Sequence, residues 1–117
     1  MRTLEPNELA HQILEIISDK KGIDIVLLDT RAVSAISDYV VIATGDSERQ
    51  VQAMADEIQK TLKKQRILPL GVEGKPESGW SLLDYNSVIT HLFTPAMRDF
   101  YLLDNLYENA AVVVKMP

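Results

Sequence analysis

The sequence predicts an α/β fold, a single-domain mixed β-sheet flanked by helices that spans residues 1–117. Three observations predict it. Segments whose apolar residues recur at helical spacing alternate with short runs that are apolar almost throughout; those runs are rich in Val and Ile; and the breaks between them are brief and hold Gly, Pro, Ser or Asn. No repeat, low-complexity tract or linker divides the 117 residues, and a chain of this length buries roughly 65% of the surface its unfolded form would expose.

Leu9, Ile13, Ile16 and Ile17 fall at helical spacing between Pro6, which suits a first turn, and Gly22, which suits a stop after Lys20 and Lys21. A helix is predicted over 6–20. Ile23 to Leu28 is apolar and β-branched around Asp24, the pattern of a strand covered on both faces, and Asp29, Thr30 and Arg31 close it. Tyr39 to Thr44 is a second buried strand, ending at Gly45. Ser47 then caps a helix, with Gln50 three positions on as a capping box, and Val51, Met54, Ala55, Ile58 and Leu62 form one apolar stripe that ends near Lys63 and Lys64. In this helix Arg49 reads as a structural ion-pair partner rather than a contact.

Pro69 to Gly79 shifts to Gly, Pro, Glu and Lys, a loop with a short strand around Val72 and Glu73. Trp80 to Tyr85 and Val88 to Thr94 are two strands divided by Asn86 and Ser87, the spacing of a two-residue hairpin. Thr94 and Pro95 start a further helix carrying Met97, Phe100, Tyr101 and Leu103, and a short helical or irregular stretch follows around Leu106 and Tyr107. The tail from Ala110 to Lys115 fits either an edge strand or a loose end. The predicted order is α-β-β-α-β-β-β-α.

Composition narrows the function. Cysteine is absent, which excludes disulfides and thiolate metal sites. Twelve basic against 17 acidic side chains give a net charge of −5, which repels phosphate backbones and anionic lipid, so direct nucleic-acid binding, to DNA or to bare RNA, and membrane binding are not expected. The acidic surplus lies in the first half: residues 1–60 hold 6 basic and 11 acidic side chains, and 61–117 hold 6 of each. Such a surface suits a basic protein partner, although solubility alone also accounts for it. The N-terminus has neither the apolar stretch of a signal peptide nor a basic amphipathic transit segment, so a cytoplasmic location is expected.

The chain offers few routes to catalysis. Zinc needs about four nitrogen or sulfur ligands and the chain has two histidines, His11 and His91. Gly45-Asp46-Ser47 lies between a strand and a helix start, where backbone N–H groups can hold an anion, but it lacks the second glycine of a nucleophile elbow, and Ser47 is explained as a cap. A metal-dependent nucleotidyltransferase would need paired carboxylates on a neighbouring strand. Asp84 supplies one, and the position two residues on is Asn86, so the pair is broken.

Alternation along the hairpin pairs Tyr85 with Val88, Asp84 with Ile89, Leu82 with His91 and Trp80 with Phe93. One face then carries Trp80, Leu82, Asp84, Ile89, His91 and Phe93, and the other Ser81, Leu83, Tyr85, Val88, Thr90 and Leu92. Both are substantially apolar. Either two helical layers cover the sheet, or one face is an interaction surface with the Trp, Leu and Asp of a binding hot spot.

Several of these segments resemble one known family. The run from Ser37 to Glu57, Val72-Glu73-Gly74, Gly79-Trp80-Ser81-Leu82-Leu83-Asp84-Tyr85, and His91-Leu92-Phe93 followed by Arg98, Phe100 and Tyr101 are similar in order and spacing to the ribosomal silencing factors, also called Iojap-related proteins. Position 46, an Asp, departs from the smaller or amide residue of the pattern. The resemblance implies a nucleotidyltransferase-like fold without the catalytic carboxylates, a binder rather than an enzyme, and no cofactor. It implies a translational repressor that attaches to the large ribosomal subunit through ribosomal protein uL14 and sterically blocks joining of the small subunit. It further implies Trp80 and Leu82 as apolar anchors, Asp84 as an acceptor for a partner Lys or Arg, and Tyr85 and His91 as flanking contacts. Trp80 also fits a core position, and Arg98 and Tyr101 also fit a brace for the last helix. Two alternatives differ in class: a metal-dependent nucleotidyltransferase, and a homodimeric adaptor with no ribosomal role.

Overall fold

The computed structural model describes residues 4–101 and 103–117. Its elements are α1 (Pro6–Asp19), β1 (Ile23–Asp29), β2 (Tyr39–Thr44), α2 (Glu48–Lys64), β3 (Gly71–Glu73), a 3₁₀ turn (Pro76–Ser78), β4 (Trp80–Asp84), β5 (Val88–Phe93), α3 (Pro95–Tyr101), α4 (Leu103–Leu106) and β6 (Ala111–Met116). The predicted helices and strands are all present, and the tail resolves into an edge strand.

Local chemistry starts and stops the two long helices. Glu5 and Glu8 form a reciprocal box at the start of α1. At its end the residue with left-handed backbone is Lys21, φ +66°, and not the expected Gly22. Gly22 is required for a different reason: a Cβ there would lie 2.4 Å from Ile17 Cγ2 and 2.9 Å from Met54 Sδ, so its bareness lets α1 and α2 close together. Ser47 caps α2 by accepting from the Gln50 amide at 3.1 Å, as predicted. The Gln50 side chain reaches further than a capping box requires. Its Oε1 accepts from the Asp46 amide at 2.6 Å and its Nε2 donates to the carbonyls of Lys20 and Lys21, which ties the start of α2 to the end of α1. Arg49 is exposed and makes no ion pair with a described residue, whereas Lys20 pairs with Glu57 and Arg31 with Asp29, so the expected structural role of Arg49 is not observed among the described residues.

The strands form one sheet in the order β3-β4-β5-β2-β1-β6. Only β2 and β5 run parallel, with Tyr39 opposite Val88 and Thr44 opposite Phe93; the other neighbours are antiparallel. Helices α1 and α2 cover one face, burying Ile13, Ile17, Leu27, Val41, Met54, Ile58, Leu62, Leu83 and Leu92. Full burial of such side chains contributes about 1.5–3 kcal/mol each. On the opposite face Val26, Leu28, Val40, Ile42 and Phe93 form a smaller core beneath Trp80, Met97, Leu103 and Tyr107. Strands β1 and β2 are therefore apolar on both sides, which is why they read as uninterrupted runs. The second layer is made of the short α3 and α4 and leaves the β4–β5 end of its face half-exposed at Leu82, Asp84 and Ile89.

Candidate ribosome-docking face

The hairpin has the register read from its sequence: Trp80 lies opposite Phe93, Leu82 opposite His91 and Asp84 opposite Ile89. The turn is held by the Tyr85 amide donating to the Val88 carbonyl at 2.9 Å, with Asn86 in left-handed backbone at φ +72°. Asp84 Oδ1 accepts from the Asn86 amide at 2.8 Å, so one carboxylate oxygen fixes the turn.

Trp80, Leu82, Asp84 and His91 stand together on the face that α1 and α2 leave free. Tyr85 does not join them. It points into the core beneath the two long helices, 6% exposed, and burial pushes its phenol up to about 12. Its hydroxyl has no hydrogen-bond partner there. His91 belongs to the face but is only 7% exposed, and burial lowers its imidazole to about 4, so the ring is neutral near pH 7.

Two further aromatics complete the surface. Tyr101 lies with its ring centroid 5.5 Å from that of Trp80 and 5.6 Å from that of Phe93, while Phe100 meets Tyr101 edge-on at 5.3 Å. His91 stacks parallel to Phe93 at 6.0 Å. The result is a continuous aromatic strip from the sheet to α3 with Phe100, 73% exposed, at its outer end. From sequence Tyr101 fits a helix brace and Phe100 an apolar helix position. Their signal was present, two adjacent aromatics one turn after Pro95, but not the direction in which α3 folds back.

That direction is set by Arg98 and two glycines. Arg98 Nη1 donates to the Asp24 carbonyl and, at 3.0 Å, to Thr44 Oγ1, fastening α3 across the ends of β1 and β2. Gly79, φ +79°, lies where a Cβ would be 2.6 Å from both Met97 Cγ and Thr94 Oγ1. Gly74, φ +81°, backs the indole: a Cβ would lie 2.9 Å from Trp80 Cε3.

The turn before α2 is committed to structure, since the Asp46 amide and Ser47 hydroxyl are both engaged by Gln50. Among the described residues no group of three or more His, Asp or Glu is placed to hold a metal. The same sheet face carries a groove of about 810 Å³ at its far end, lined by Val26, Leu28, Arg98, Tyr107, Val112 and Lys115, and none of the residues expected at the site borders it.

Comparison with known proteins gives this face a context. A family model described as ribosomal silencing factor during starvation matches residues 3–117. The chain belongs to this family. A ribosomal silencing factor from Chromobacterium violaceum is 36% identical over 104 residues, covering 89% of this chain and 85% of its own length. The chloroplastic Iojap protein of Arabidopsis thaliana is 33% identical over 101 residues, 86% of this chain and 42% of that protein. A crystal structure of a Chromobacterium violaceum protein superimposes with a TM-score of 0.85 at 36% identity, covering 90% of this chain and 88% of that one. Membership of the silencing-factor family makes the chain a ribosome-associated regulator of translation, the coarse form of the expected function. No helix among the described residues is long and apolar enough to cross a membrane.

Proposed function

We propose that this chain represses translation by seating the Trp80 face on the large ribosomal subunit, through ribosomal protein uL14, and so keeping the small subunit from joining. The observation that carries the reading is the half-covered end of the sheet. There Trp80, Leu82 and Ile89 stay partly exposed beside Phe100 and Tyr101, in a chain whose other sheet face is sealed by two helices. Aromatic and aliphatic anchors grouped on a flat face suit a protein partner. The half-exposed Asp84 at its edge complements a basic ribosomal protein, and the acidic surplus of residues 1–60 favours the same encounter over bare RNA.

The role is binding and exclusion, with no reaction step and no cofactor. Sedimentation of the purified protein with separated small and large subunits tests it directly. Co-migration with the large subunit and fewer joined ribosomes are expected; a protein that stays at the top of the gradient with both subunits present would overturn the reading.

A further inference from the structure

Lys63, Lys64 and Arg66 stand at the C-terminal end of α2, and all three are exposed. None forms an ion pair with a described residue. They are three of the six basic side chains in residues 61–117, gathered into four consecutive positions of a chain whose net charge is −5.

One cation at a helix C-terminus is accounted for by the helix dipole. Two features here are not. Lys60, whose charge is shared with the nearby Glu57, precedes Lys63 and Lys64 by three and four positions, the spacings at which like charges on a helix surface repel. Arg66 occupies left-handed backbone, φ +64°, as the residue after the cap in a Schellman ending: its amide donates to the Lys63 carbonyl and the Ile67 amide to the Leu62 carbonyl, both at 2.9 Å. Glycine takes that position without steric cost, whereas this chain places a guanidinium there.

The cluster lies at the end of a helix on the other side of the sheet, a short stretch of chain from the sheet edge at Asp84. Beyond Arg66 the chain runs past exposed Leu68 to Leu70, whose amide donates to the Asp84 carbonyl at 2.7 Å. Four residues of extended chain reach at most about 14 Å. We infer that when the Trp80 face is seated on the large subunit, Lys63, Lys64 and Arg66 contact phosphates of the subunit's RNA. The inference rests on the docking proposed above. A chain this acidic is a poor ligand for free RNA, but docking raises the effective concentration of phosphate beside the cluster, so three cations suffice.

Neutralising phosphates releases counterions, which gives the contact a signature in salt. Affinity of the labelled protein for isolated large subunits is measured across a salt series, for the wild type and for Lys63→Gln/Lys64→Gln/Arg66→Gly. The wild-type slope of log affinity against log salt is expected to be steeper by about 2, from roughly 0.7–0.9 per phosphate contact. The two proteins converge at high salt, and the thermal midpoint of the variant is unchanged or raised because glycine suits position 66. Both proteins bind isolated uL14 equally. An unchanged slope overturns the inference while leaving the docking reading intact, and so does a loss of uL14 affinity in the variant, which would place the cluster on protein. A wild type that binds no subunit overturns both. If Trp80→Ala binds subunits like the wild type while the triple variant keeps its shallower slope, the RNA contact stands and the docking face is wrong.

Discussion

At the scale of single residues, Trp80 and His91 carry different consequences although they are diagonal neighbours on one face. Trp80 is half-exposed, and its ring is packed against Tyr101 and backed by Gly74. Its truncation therefore leaves the main core closed and, on the proposed docking, removes an anchor. Trp80→Ala is expected to weaken large-subunit binding by at least about 2 kcal/mol while the circular dichroism spectrum stays native, and normal binding by that folded variant would exclude the indole as an anchor. His91 is buried instead, and its pKa of about 4 sits below the ordinary 6.5. Between those values the unfolded chain binds the extra proton, so folding stability is complete above about pH 6.5 and falls as the pH drops toward 4, by roughly 3 kcal/mol at the limit. In urea denaturation at a series of pH values, His91→Leu should flatten that dependence; a curve parallel to the wild type would show that the ring is hydrated. Period-two alternation made Trp80, Leu82, Asp84 and His91 legible as one face from sequence, because a strand's pleat needs no knowledge of the rest of the fold. The same alternation sends Tyr85 to the opposite side, which is where the structure puts it, so the resemblance and the local geometry disagreed at this residue.

Among the elements, α3 shows where local reading stops. Its existence follows from Thr94 and Pro95, but its placement over Trp80 depends on Arg98 reaching Asp24 and Thr44, partners 74 and 54 positions away. No local pattern encodes that reach, so the sequence alone does not bring Tyr101 onto the Trp80 face. Arg98→Ala leaves the Asp24 carbonyl and Thr44 hydroxyl without their charged donor and should lower stability by roughly 1.5–3 kcal/mol. Because Tyr101 and Phe100 ride on the same helix, subunit affinity should fall as well. A variant that loses stability but binds undiminished would mean that the aromatics of α3 lie outside the interface. The tail was equally undecidable: a run of valines becomes β6 only because β1 offers it an edge.

In the whole molecule, the main core lies beneath α1 and α2 and the second face is closed over β1 and β2 but open over β4 and β5. On the docking proposed above, this asymmetry divides the labour, with one side giving stability and the other recognition. It predicts that deleting residues 111–117 harms folding more than it harms the docking chemistry. β1 would lose one of its two antiparallel neighbours, and the groove side of Val26 and Leu28 would be uncovered. The truncated chain should melt well below the full chain and aggregate through the bared β1 edge; a cooperative melt at the original midpoint would show β6 to be dispensable.

The pairing of β6 with β1 has a consequence for biogenesis. Strand β1 lies between β2 and β6, so its two neighbours come from residues 39–44 and 111–116. Until residues 111–116 have been made, β1 can pair only with β2 and its other edge stays bare. The sheet thus reaches its full width only once β6 has been made.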